Sequence, residues 1–158
     1  MKLQTSKRKR IALLVESSLG SGRSILRGIS QFARQVGNWE LLYAPRGLED
    51  VVPDWLESWE GDGVIARIQD EGMLSALEKL EIPIVDVLGV PDHDLPLVRV
   101  DDEKISRKIA KHFLNRSFDH FSFYGIEGES WSRRREDAFR QATASGKSYA
   151  AFNSLRGI

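Results

Sequence analysis

Residues 10–36, RIALLVESSLGSGRSILRGISQFARQV, hold a buried strand, a small-residue turn and an amphipathic helix in direct succession. Ile11, Ala12, Leu13, Leu14 and Val15 form an uninterrupted apolar run, the pattern of a parallel strand covered on both faces. The turn over 16–22 is mostly Ser and Gly. Beyond it Ile25, Leu26, Ile29, Phe32, Ala33 and Val36 fall at helical spacing and draw one apolar stripe. This is the first βα unit of an α/β fold. In open α/β sheets ligands bind past the carboxyl ends of strands, so residues 16–23 are the first place to look for a site.

Working outward, the alternation continues. Gly37 and Asn38 stop the helix, WELLYA at 39–44 reads as a strand, and 51–59 reads as a short helix with Pro53 in its first turn. Strands are expected over 64–68 and 82–88, separated by a helical stripe of Met73, Leu74, Leu77 and Leu80. A loop with Pro91 and Pro96 spans 89–97, followed by a short strand at 97–100. Asp101 or Asp102 caps the next helix, which Ile105, Ile109, Phe113, Ala110 and Leu114 are expected to carry onto the sheet. A strand at 121–124, a helix at 132–144 with Ala138, Phe139 and Ala142 inward, and a strand from Tyr149 complete the series. Strands alternating with helices predict a doubly wound parallel sheet with right-handed crossovers. No helix follows the last strand, so the chain reads as breaking off inside a larger fold.

With 158 residues, 41% of them hydrophobic, one globular core is expected over 10–158, preceded by a basic tail at 1–9. Lys and Arg balance Asp and Glu at 23 each, so no global field draws the chain to nucleic acid or to an anionic membrane. The local exception is KRKR at 7–10, a solvated tail or, alternatively, an arm that touches DNA. There is no cysteine, which excludes disulfides, thiolate chemistry and Cys-based zinc sites and fits a reducing cytoplasm. No run approaches the roughly 20 apolar residues of a membrane span, and no signal peptide is read at the start.

Catalysis and cofactors find no support. Gly20-Ser21-Gly22 sits where a phosphate loop would, yet Ile25 stands at the third glycine of a dinucleotide fingerprint, and 44–46 reads APR where a ribose ligand would be acidic. His93, His112 and His120 lack metal-ligand spacing, and no GxSxG elbow surrounds a serine. What remains is polar residues at strand ends: Ser17, Ser18 and Arg23; Arg67, Gln69 and Asp70; Asp101 and Asp102; Glu127, Glu129, Trp131, Arg134 and Arg135. On one sheet these would share one edge. An Arg fork donates to vicinal oxygens and Trp packs on C–H faces, so the set suits a polyhydroxylated ligand.

Several stretches resemble the effector domain of the lactose-repressor and galactose-repressor family, whose fold is that of type I periplasmic sugar-binding proteins. They are the first strand and turn, GDGVI at 61–65, IPIV at 82–85, VDD at 100–102, HFSFYG at 120–125 and REDAF at 135–139. The last matches the family's Arg-x-x-Gly-aromatic pattern, with Ala138 where Gly is usual. In the family that arginine contacts the sugar, so the resemblance implies the same for Arg135. Within the family EGDGVIA at 60–66, FSFYG at 121–125 and REDAFRQ at 135–141 look most like the branch that answers to xylose. In that branch the sugar domain comes first and a helix-turn-helix pair follows. The resemblance therefore implies a cytoplasmic, homodimeric, sugar-responsive regulator, of which this chain is the N-terminal subdomain. A second subdomain and the operator-binding domain would lie outside it. The ligand-binding set is Arg135, Arg23, Trp131, Ser18, Asp101 and Arg67, with no catalytic residue, metal or cofactor. Two alternatives stay open: a flavodoxin-like enzyme acting on sugars or nucleotides, and a binding module that delivers sugar to a transporter.

Overall fold

The apolar run after the basic residues becomes strand β1, Lys9–Leu14, whose last four side chains are buried. The computed structural model describes residues 7–47 and 52–154. The chain divides into two compact units, Met1–Arg99 and Val100–Ile158.

In the first unit, helix α1 spans Gly20–Val36 and ends where Gly37, at φ 70°, returns its N–H to the Ala33 carbonyl. A left-handed residue is needed there, and glycine adopts it without a Cβ penalty. β2 (Trp39–Tyr43), β3 (Gly63–Ala66), α2 (Glu71–Glu78) and β4 (Ile84–Asp86) follow. The four strands are parallel in the order β2-β1-β3-β4, with Ile11 beside both Leu41 and Gly63. Ala12, Leu14, Val64, Ala66 and Ile84 from the strands pack with Met73, Leu74 and Leu77 of α2 and with Leu56. Asp70 starts α2 by accepting the Met73 N–H at 2.8 Å. At the opposite edge Asp62 accepts Lys9 Nζ at 2.8 Å and the Arg10 N–H at 2.9 Å, and these two bonds hold its carboxyl below the usual carboxylate range.

The second unit contains α3 (Asp102–Leu114), β5 (His120–Ile126), α4 (Ser130–Ala142) and β6 (Ser148–Ser154). β5 and β6 are parallel and α4 is their crossover. Ala110, Phe121 and Phe139 form the core, joined by Leu114, Phe123, Ala142 and Tyr149. Arg140 lies over the Tyr149 ring at 5.0 Å, and burial pushes the Tyr149 hydroxyl above its ordinary value against the pull of that cation.

The α/β class and parallel pairing are as expected. Four details differ from the sequence reading. The strands pair as two sheets, β2-β1-β3-β4 in the first unit and β5-β6 in the second. Residues 97–100 contribute one parallel bridge, Asp86 to Leu97, in which the Asp86 N–H donates to the Pro96 carbonyl and the Val98 N–H to the Asp86 carbonyl, both at 2.9 Å. Over 51–59 a single 3-10 turn forms, Asp54–Leu56, while residue 51 is outside the described residues. Finally, α3 buries Ala110 as expected, with Leu114 packed on the same core, but it also buries Asp102 and Ser106 and leaves Ile105 and Ile109 exposed. Two arginines of α4 bond to Asp102 and turn that small-residue face inward.

Candidate functional site

The sheet order puts β1 and β3 side by side while the chain leaves β1 for β2 on one flank and reaches β3 and β4 on the other. That is a topological switch point, where crevices open at the carboxyl ends of strands. Two charged residues flank it. Glu16, two residues past β1, is 1% exposed, and Arg67 follows β3 directly. Arg67 Nη1 donates to Glu16 Oε1 at 2.6 Å and to Ser21 Oγ at 3.4 Å. Glu16 Oε2 and Arg67 Nε are buried with no partner among the described residues. Gly22, in the first turn of α1, allows this closeness: a Cβ there would lie 2.0 Å from the Glu16 carbonyl oxygen and 2.4 Å from Oε1. Arg23 turns back on the same loop and donates from Nη1 to the carbonyls of Ser17 and Ser18, at 2.8 and 2.6 Å.

The neighbouring strand end is closed by an aspartate. Asp86 is fully buried; Oδ1 accepts from the Ile68 and Leu88 N–H groups, and Oδ2 from the Gly89 N–H at 2.7 Å and from His93 Nε2 at 3.0 Å. Leu95 N–H donates to His93 Nδ1, so the imidazole proton sits on Nε2 and points at Asp86.

In the second unit the polar residues gather around α3 and α4. Asp101 caps α3, accepting the Lys104 N–H at 2.8 Å. Asp102, 4% exposed, receives Arg135 Nε on Oδ1 at 2.8 Å and Arg134 Nη2 on Oδ2 at 3.0 Å. The Arg135 guanidinium lies 4.8 Å over the Trp131 ring, whose Nε1–H donates to Glu129 at 2.8 Å. Arg135 is thus fixed from one edge and one face, and its two terminal nitrogens have no bond among the described residues. A flat donor fork beside an indole fits vicinal hydroxyls. A separate cleft of about 320 Å³ lies where β5 leads into α4, lined by Ile126, Glu129, Ser132, Arg133, Glu136 and Asn153; Arg135 and Trp131 do not line it.

The residues read from the sequence are therefore placed unequally. Arg135 and Trp131 come together, Arg67 stands at the switch point, Asp101 is spent on a helix cap, and Arg23 is spent on the turn that includes Ser18. Sequence reasoning put Glu16 in the turn to search but not in the ligand-binding set, weighed His93 only as a metal ligand, and passed over Asp86. The available signal was the first acid after IALLV and the lone acid within IPIVDVL. Among the described residues no group of three or more His, Asp or Glu is arranged to hold a metal ion, and no helix is long and apolar enough to cross a membrane.

A family model described as the XylR N-terminal domain matches residues 10–98. The chain belongs to this family. It is similar to the xylose operon regulatory protein of Escherichia coli strain K12, at 29% identity over 153 residues, covering 90% of this chain and 38% of that one. Among solved structures it resembles a xylose-binding transcription activator, at TM-score 0.76 and 25% identity over 94% of this chain and 39% of the other. A periplasmic solute-binding protein from Actinobacillus succinogenes with bound D-allose matches at TM-score 0.75 and 21% identity, over 92% of this chain and 59% of that one. That likeness extends to the fold alone, which is of the type I periplasmic-binding class. The chain spans about two fifths of the length of the regulators it matches. The first two of these relatives are named as transcription regulators, not as enzymes.

Proposed function

We propose that this chain is the effector-binding portion of a sugar-responsive transcription regulator, with D-xylose or a related pentose as effector. Arg135 carries the reading: one guanidinium edge is held by Asp102, one face rests on Trp131, and its terminal nitrogens have no bond among the described residues. Family membership and the xylose named for its relatives support the choice of sugar. Operator DNA is contacted by a part of the protein outside this chain, and the regulator acts as a homodimer in the cytoplasm. The sugar works by binding one of two conformations more tightly, because a ligand with equal affinity for both shifts nothing.

The test is calorimetric titration of the full-length protein with D-xylose, L-arabinose, D-ribose and D-glucose. Selective heat with xylose, weakened about tenfold or more in Arg135→Ala at unchanged secondary structure, is the expected result, since a hydrogen bond from a charged donor is worth about 1.5–3 kcal/mol. Absence of binding to every sugar in a folded protein overturns the reading.

A further inference from the structure

We propose that Glu16 and Arg67 act as one unit in effector recognition, presenting a donor–acceptor pair at the β1/β3 switch point to a hydroxyl of the ligand. The inference rests on the sugar-binding reading above and adds a residue to it. Three observations carry it. Glu16 and Arg67 bridge the two strands between which the chain reverses direction, the place where open α/β sheets accept ligands. Their mutual bond uses one oxygen of Glu16 and one nitrogen of Arg67, leaving, among the described residues, Glu16 Oε2 and Arg67 Nε buried and unpartnered and Nη2 without a bond. Buried carboxylate oxygens and guanidinium nitrogens in folded proteins are ordinarily paired, so this pair is incomplete as it stands. A hydroxyl group both accepts from a guanidinium N–H and donates to a carboxylate, which makes an alcohol the chemistry that completes it.

The charge balance fits a neutral polyol. Glu16 and Arg67 cancel, so a phosphorylated or carboxylated sugar finds no uncompensated cation in this pair. Gly22 places the first turn of α1 against Glu16, and Ser21 shares Arg67 Nη1, so the carboxylate has no room to swing away from its partner.

A double-mutant cycle in the full-length protein tests the assignment. Glu16→Gln, Arg67→Lys and the double variant are titrated with D-xylose by calorimetry, with thermal melting followed in parallel. Arg67→Lys keeps a cation beside Glu16, so the buried carboxylate stays paired and the variant folds. If Glu16 and Arg67 act as one unit, each single variant weakens xylose binding about tenfold and the double variant is no weaker than Arg67→Lys alone. Loss of melting temperature without loss of affinity in Glu16→Gln, or losses that multiply in the double variant, overturns the inference and leaves sugar sensing standing. Failure of the wild type to bind any sugar overturns the functional reading, and this inference with it.

Discussion

At the scale of single residues the acids that interrupt apolar strands do most to shape the strand ends. Asp86 collects three backbone N–H donors and His93 Nε2 on two oxygens, all out of water. Asparagine in its place retains one oxygen and turns an N–H₂ toward donors that need an acceptor. Asp86→Asn is expected to destabilise the protein by about 3 kcal/mol, through unsatisfied buried groups, in urea denaturation followed by tryptophan fluorescence. A change under about 1 kcal/mol would mean that those donors reach other acceptors. The same reasoning explains what was hidden in the sequence. An aspartate in IPIVDVL announces that something polar must be satisfied there, but the donors come from residues 68, 88, 89 and 93, and spacing alone does not say which. Arg135 was legible because its motif is local; Asp102, 33 positions away, becomes its partner only once α3 and α4 are packed.

At the scale of elements, α1 holds two glycines of opposite consequence. Gly22 faces Glu16 so closely that a methyl group would overlap it, whereas a Cβ on Gly28 meets nothing within 4 Å. Gly22→Ala is expected to cost about 3 kcal/mol by overpacking, and Gly28→Ala to add about 1 kcal/mol of stability by restricting the unfolded chain and improving helix propensity. Thermal melts of the two variants should move in opposite directions; a shared direction would refute the packing described around Glu16. Among the described residues periodicity located each α-helix and each strand, since apolar spacing records which faces are covered; it overshot at 51–59, where one 3-10 turn forms, and at 97–100, which makes a single bridge. On α3 it placed Ala110 and Leu114 correctly and misjudged Ile105 and Ile109, which are exposed while Asp102 and Ser106 are buried. Ion pairs to Arg134 and Arg135 decide that orientation, and a hydropathy pattern does not register them.

At the scale of the whole molecule, local reading had no means of dividing the strands between two sheets. Each βα repeat looks the same in sequence whether it extends one sheet or begins another, and only strand pairing tells them apart. Function at this scale is a matter of linkage: a ligand that binds only the folded state stabilises it by RT ln(1 + [L]/Kd), about 2.7 kcal/mol at a hundredfold excess over Kd. D-xylose should therefore raise the melting temperature of the full-length protein by several degrees, and the rise should grow with the logarithm of free sugar once Kd is passed. A merely excluded sugar behaves differently, stabilising in proportion to concentration and only at very high levels, as sucrose does. Differential scanning fluorimetry with xylose and sucrose in parallel separates the two. In Arg135→Ala the logarithmic component should fade while the sucrose response stays, because the substitution removes a donor to the ligand and leaves surface exclusion unchanged. If xylose and sucrose give identical linear responses in the wild type, the stabilisation is not binding, and no pentose occupies the site that Arg135, Trp131 and Asp102 outline.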